Sequence, residues 1–387
     1  MNTRLVPSPL TLSPDSDALR EEVRTFLSEQ RDAGNFIPQV DSWISGWDAD
    51  FSRALGDHGW LGMTIPIEYG GHGRTHLERY VVTEELLAAG APVAAHWVSD
   101  RQIGTSLMRH GTDYQRHRYL PGITRGEIFF AIGMSEPESG SDLASVRTRA
   151  LRVDGGWELS GTKVWTSGAH HAHAFFVLAR NEPLDPAHRH AGLSQFIVDL
   201  DSPGIEIRPI KLLTGHHHFN EVVLDKVFVP DDLVLGNPGD GWFQVTSELA
   251  VERSGPERIL SSFPLLNTFV ADVQSKSDHT PHVIEAIGAL FSRGFTLRQL
   301  SLAIAGALAN DLPVGVAAAV VKDIGTQFER EVVESVASHA DVEADPKSNE
   351  LLPRLLAEGL LQAPGFSLRG GTSEILRGVI AKGLGLQ

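Results

Sequence analysis

The chain predicts an α+β fold in three parts: an N-terminal helical domain over residues 1–127, a middle β-barrel or sandwich over 128–240, and a C-terminal helical bundle over 241–387. Three observations carry this. Apolar residues recur at helical spacing up to about Gly126, short apolar runs between turn clusters replace them from about Ile128 to Gly241, and long periodic segments then return.

In the first part Leu19, Val23, Phe26 and Leu27 lie on one helical face, as do Val81, Val82, Leu86 and Leu87. Gly59-Trp60-Leu61-Gly62 and Glu68-Tyr69-Gly70-Gly71 interrupt the runs as turns. In the second part, Ala150, Leu151 and Val153 lead through Asp154-Gly155-Gly156 to Trp157, Leu159 and Val164, which reads as a hairpin about a glycine turn. Phe175–Leu178, Phe196–Val198, Ile205–Ile210 and Val222–Val229 are further strands, about seven in all. In the third part, Phe243–Leu266, His282–Ala309, Val314–His339 and Leu351–Leu361 read as helices, with a last one beginning near Thr372; short connections favour a bundle.

With 387 residues the chain has room for two or three domains and a large buried core. It has no cysteine, which excludes disulfides, thiolate metal sites and cysteine nucleophiles. A formal charge of −16 argues against nucleic acid or an anionic membrane as a partner. The amino terminus has no apolar core of signal-peptide length, and no segment approaches the ~20 apolar residues of a membrane span, so a cytoplasmic location is expected. His170, His171 and His173, with His216, His217 and His218, invite a metal reading; without carboxylates at ligand spacing, solvated loop ends are expected and no metal.

Three separated stretches could carry chemistry. Gly133-Met134-Ser135-Glu136-Pro137-Glu138-Ser139-Gly140-Ser141-Asp142-Leu143-Ala144-Ser145 exposes hydroxyls and turn N–H groups, which suit a flat polar heterocycle or a phosphate but equally an ordinary turn. Gly161-Thr162-Lys163-Val164-Trp165-Thr166-Ser167-Gly168 ends a strand with an indole and hydroxyls, fit to cover an aromatic cofactor or simply to pack in a core. Gly370-Gly371-Thr372-Ser373-Glu374-Ile375-Leu376-Arg377 runs from glycines into a hydroxyl pair that can cap a helix or meet a pyrophosphate.

Together, in this order, the stretches resemble the acyl-CoA dehydrogenase family. The first resembles its signature, G-[hydrophobic]-[ST]-E-x-x-[small]-G-[ST]-D-x-x-[small], at every position. The second is similar to the family's K-x-W-x-[ST] flavin strand and the third to its G-T-S-E-I motif. Gly59–Gly71 and Glu221–Leu233 also look like family segments, so the resemblance spans most of the chain.

The resemblance implies FAD as cofactor and an acyl-CoA thioester as substrate. Met134 and Ser135 would line the pyrimidine side of the flavin, Trp165 would pack on the ring beside Thr166, and Ser167 would hydrogen-bond N5, where most members have threonine. Gly140 and Ser141 would lie where the FAD phosphates approach the thioester, and Gly371, Thr372, Ser373 and Glu374 would meet the other end of FAD. Coenzyme A is itself anionic, so a chain this acidic must bind it through local arginines or helix N-termini.

Many members place the catalytic glutamate directly before G-T-S, where this chain has Gly370. A second subset carries it in an E-R pair on the first helix of the C-terminal bundle, and Glu252-Arg253 stand at the matching place. Glu252 is therefore expected as the base and Arg253 as a contact to CoA or its pocket, with Glu248 and Glu257 as substitutes for the base. Pro256 cannot donate to the carbonyl of Glu252, so the helix should kink or open there.

The R-x-x-F-G segment and the later glycine-rich motif, with which most relatives grip a neighbouring subunit's FAD, are not found; Ser275–Val283 and Ala340–Glu350 stand in their place. The resemblance implies an acyl-CoA dehydrogenase passing electrons to an electron-transfer flavoprotein, as a homo-oligomer or with a related subunit. Two alternatives are the partner subunit of a heteromeric dehydrogenase with an incomplete FAD site, and a flavin-dependent monooxygenase of the same fold.

Overall fold

A computed structural model describes residues 7–253, 255–277, 280–310 and 312–386; the side chains of residues 249–252 lie outside the description. The chain separates by packing into two units. One gathers the described residues of Met1–Gly46, Thr75–Val93 and Ala250–Gln387, and the other comprises Trp47–Arg74 and Ala94–Leu249.

The second unit holds the sheet, whose strands are β1 (Phe130–Gly133), β2 (Arg149–Val153), β3 (Gly156–Ser167), β4 (Ala174–Arg180), β5 (Leu193–Asp199), β6 (Ile205–Lys211) and β7 (His217–Pro230). They form one seven-stranded sheet in the order β1-β4-β2-β3-β7-β6, with β5 also paired to β4. The expected hairpin is present: β2 and β3 pair antiparallel about Asp154-Gly155, with Gly155 at φ +73°. Phe175, Phe176, Val177 and Leu178 of β4 are all fully buried, a continuous apolar run covered on both faces rather than an alternating strand. Phe130, Phe196 and Leu159 complete the surrounding core, joined by Leu107, Leu120 and Ile123 from the helices Gly104–His110 and Asp113–Thr124.

The first unit is helical: Pro14–Asp32, His76–Ala88, Phe263–Ser275, Pro281–Leu308, Gly315–His339, Leu351–Phe366 and Ser373–Gly383 are its long helices. Its apolar core includes Leu266, Leu290, Leu297, Ile304, Val321, Phe328 and Val332. His76–Ala88 is buried nearly all round, including the carboxylates of Glu84 and Glu85. Arginines from two other helices neutralise them. Arg298 donates to Glu84 at 2.6 and 2.8 Å, Arg20 donates to Glu84 at 2.9 Å and also pairs with Glu85, and Arg24 donates to Glu85 at 2.8 Å.

The helix expected over Phe243–Leu266 is corrected. Helix Gly241–Glu252 ends at Glu252; after it come a single 3₁₀ turn at Pro256–Arg258 and a new helix, Phe263–Ser275, with a proline in its first turn. Pro256 and Pro264 have no N–H with which to continue a helical ladder and Gly255 weakens it further, so the chain opens more fully than a kink.

Candidate functional site

The residues of the first stretch leave β1 at Gly133 and are anchored by one buried ion pair. Lys163 of β3, fully buried, donates to Glu136 at 2.8 Å and to the Met134 carbonyl at 3.2 Å. The same carboxylate accepts the backbone N–H groups of Arg147 at 2.7 Å and Thr148 at 2.9 Å. Burial drives the Lys163 ammonium down to about 8 against the opposing pull of Glu136. Burial works to raise the Glu136 carboxyl, but the Lys163 charge and the hydrogen bonds from Lys163, Thr148 and Arg147 outweigh it, so that group lies below its ordinary value. The Val164 N–H donates to the Ser135 carbonyl at 2.9 Å, which lays Met134-Ser135 alongside the flavin-like strand. Met134 and Ser135 are half-buried, whereas Gly140 and Ser141 are exposed at the loop's far end. There Arg189 holds Asp142 at 2.5 Å.

Trp165 sits on a bulge. Lys163 pairs with Val222 and Thr166 with Asn220, so Val164 and Trp165 together face the single residue Glu221. Trp165 adopts φ +59°, the left-handed region, which costs a bulky residue about 1–2 kcal/mol. The indole is thrown out of the sheet and is 55% exposed, its ring held edge-on by Phe219 at 5.7 Å. Thr166 turns inward and is fully buried, and Ser167 returns to a half-buried position opposite Phe219. Met134, Ser135, Trp165 and Ser167 are thus brought onto neighbouring backbone segments of one unit.

The third stretch lies in the helical unit. Gly370 and Gly371 adopt φ +64° and +96°, and a Cβ on Gly370 would stand 2.8 Å from the Arg258 guanidinium. Arg253 donates through Nε to the Gly370 carbonyl at 3.0 Å, and Lys322 donates to the Gly371 carbonyl at 3.0 Å. Thr372 then caps helix Ser373–Gly383, accepting the Ile375 N–H at 3.5 Å. Ser373 is half-buried and Glu374 exposed; the backbone N–H at the helix start, followed by the Thr372 hydroxyl, holds the Glu374 carboxyl below its ordinary value. Arg253 therefore braces this turn, a partner that its sequence position did not suggest.

Glu252 is the last residue of its helix, and its side chain lies outside the described residues. Glu248, one turn earlier, accepts the Ser106 hydroxyl at 2.7 Å and the Gln195 amide at 3.5 Å, while Glu257 is buried. Among the described residues no group of three or more histidine, aspartate or glutamate side chains is arranged to hold a metal ion. His170 stacks on His217 at 4.0 Å and lies tilted against His171 at the same distance.

Sequence reasoning missed Asn220. Fully buried near the start of β7, it donates to the Thr166 carbonyl at 3.0 Å and to His170 Nδ1 at 3.0 Å, and accepts from His217 Nε2 at 2.8 Å. The available signal was an asparagine among strand formers, a residue strands normally avoid.

Residues 13–127 match the family model for the acyl-CoA dehydrogenase N-terminal domain, and residues 131–227 match the model for the middle domain. The acyl-CoA dehydrogenase FadE29 of Mycobacterium tuberculosis is 34% identical over 96% of this chain and 97% of its own length. FadE34 of the same organism is 35% identical over 86% of this chain but only 45% of that protein, so the chain spans less than half of that relative. Among solved structures, the Tcur3481-Tcur3483 steroid ACAD superposes with a TM-score of 0.87 at 30% identity, covering 98% of this chain and 100% of that one. The ChsE4-ChsE5 complex from Mycobacterium tuberculosis does so at 0.82 and 26%, covering 98% and 100%. None of the helices among the described residues is long and apolar enough to cross a membrane. The chain belongs to the acyl-CoA dehydrogenase family, a family of oxidoreductases whose cofactor is FAD.

Proposed function

We propose that this chain removes two hydrogens from the Cα–Cβ bond of an acyl-CoA thioester, the α-proton leaving to Glu252 and the β-hydrogen leaving as hydride. FAD, when bound, supplies the two-electron acceptor at N5. The observation that carries the reading is the half-exposed indole of Trp165, held out on a left-handed bulge beside two serines. Strained backbone that presents a large apolar face to the outside has a use, and a flat ring stacked on that face is the use that fits these neighbours.

In this reading Trp165 covers one ring face next to Thr166, the Ser167 hydroxyl donates to the N5 edge, and Met134 with Ser135 lines the pyrimidine edge. The Glu136–Lys163 pair keeps those two segments in register. Gly140 and Ser141 serve the phosphate end, with Ser141 also reaching the thioester. Gly371, Thr372, Ser373 and Glu374 meet the other end of FAD. Glu252 acts as general base, a role worth about 10²–10⁴-fold in rate. Arg253 supports the CoA pocket. We place the reaction in the cytoplasm, with an electron-transfer flavoprotein as acceptor.

Anaerobic mixing of the FAD-loaded protein with a panel of acyl-CoAs tests this. Bleaching of the flavin band by at least one thioester, lost in Glu252→Gln at unchanged flavin content, is expected. A variant that bleaches as fast as the parent would remove Glu252 from the mechanism.

A second reading, assembly with a related but unlike subunit, is favoured by two structural relatives at 30% and 26% identity whose names each join two chains. The R-x-x-F-G segment missing from this chain agrees with it. Substoichiometric FAD after expression alone, rising to full content on co-expression with such a partner, decides for it over a homo-oligomer.

A further inference from the structure

We propose that Asn220 is the positioning residue of the flavin-facing tryptophan: its side-chain amide holds the Thr166 carbonyl, and with it the left-handed bulge that presents Trp165. The flavin reading is needed only for the consequence, not for the positioning itself. Thr166 is the first residue after the bulge and pairs with Asn220 across the ladder. Its carbonyl can only accept, so the Asn220 group facing it at 3.0 Å is Nδ2. That orientation turns Oδ1 toward His217, whose Nε2 stands at 2.8 Å and donates. The second Nδ2 hydrogen goes to His170 Nδ1 at 3.0 Å, which accepts only as a neutral imidazole.

Burial, followed by the neighbouring His171 and His217 rings, keeps His170 neutral down to about pH 4. Two imidazoles and the Thr166 and His218 carbonyls, the latter at 3.4 Å, therefore lock one amide in one orientation, inside a site with no exposure at Asn220. Asn220 is adjacent to Phe219, the ring that braces the indole, so the same strand segment supports both the backbone and the side chain of the bulge. A left-handed tryptophan persists only where its surroundings over-determine it, and this amide is the polar part of that determination.

A double-mutant cycle separates positioning from packing. Trp165→Gly places at the bulge the one residue that adopts this conformation without cost. Asn220→Ala is expected to lower Tm by roughly 4 °C in the parent and by about half that in the Trp165→Gly background. Equal losses in the two backgrounds would overturn the proposal. Should Asn220→Ala fail to fold in both, His217→Ala, which removes the bond orienting the amide together with the ring stacked on His170, goes through the same pair, and the same comparison decides because only the amide bond bears on the bulge. FAD titration of the parent and the single variant then reads the consequence: an affinity about 10-fold weaker is expected, the size of a lost aromatic contact. Coupling in Tm with unchanged FAD affinity would leave Asn220 as the positioning residue and remove Trp165 from the flavin site.

Discussion

Replacing Lys163 with methionine keeps the unbranched stem, one atom shorter, and removes the charge from a position with no solvent access. Glu136 then loses its 2.8 Å ammonium partner and retains only two backbone donors, from Arg147 and Thr148. Breaking one side of a buried ion pair costs about 3–5 kcal/mol, and the two surviving N–H bonds put this case near about 3 kcal/mol. The loss also acquires a pH dependence of predictable sign. Without Lys163, neither its charge nor its hydrogen bond opposes burial any longer, so the folded pKa of the Glu136 carboxyl moves up. A group raised in the folded state contributes fully below its unfolded pKa and loses that contribution as pH rises through the folded one. The Lys163→Met penalty should therefore be small near pH 4.5 and grow towards pH 7, below the range in which Lys163 itself titrates in the parent. Denaturant midpoints of parent and variant at pH 4.5, 6 and 7, read by circular dichroism, measure it. A penalty below about 1 kcal/mol at pH 7, or one independent of pH, would refute the account of this pair as the anchor of the Met134–Glu136 segment.

The parent has an acid-sensitive element of opposite sense. His96 is buried against the Ser52 hydroxyl at 2.9 Å, and burial depresses it to about 4, while an unfolded chain protonates at its ordinary 6.5. Unfolding takes up a proton in that window, so stability falls by roughly 3 kcal/mol between pH 6.5 and 4, and a proton-uptake measurement on unfolding at pH 5 should fall by nearly one proton in His96→Gln. Glu84→Gln strips the charge that receives three short bonds from Arg20 and Arg298, with an expected loss of about 3 kcal/mol in thermal unfolding. Gly371→Ala forces a side chain into φ +96° with its Cβ 3.1 Å from Arg253 Nη2; a drop of about 1–3 kcal/mol in stability is expected, with weakened FAD retention on gel filtration.

The strand around Trp165 shows where sequence reading stopped. Its indole and hydroxyls marked it as a cofactor strand, yet nothing local announces that Val164 and Trp165 share one partner residue across the ladder. Register belongs to two strands at once, and β7 lies more than 50 residues downstream. Asn220 went unread for the same cause: its bonds to His170 and to the Thr166 carbonyl reach residues 50 and 54 positions away. The run from Phe243 to Leu266 is the converse case. Apolar periodicity continued through it, and Gly255-Pro256 overrode the pattern locally.

Element type, the β2–β3 hairpin, the family signature from Gly133 to Ser145 and the exclusion of thiol chemistry were determined by the sequence alone. Each depends on side-chain period, turn residues or composition, which act over a few positions or none. Three matters belonged to the tertiary structure: which helices join which unit, how Glu84 and Glu85 find arginines from two other helices, and why Trp165 faces outward. They are settled by contacts between segments distant in the chain, where burial makes every polar group require a partner that no local pattern specifies.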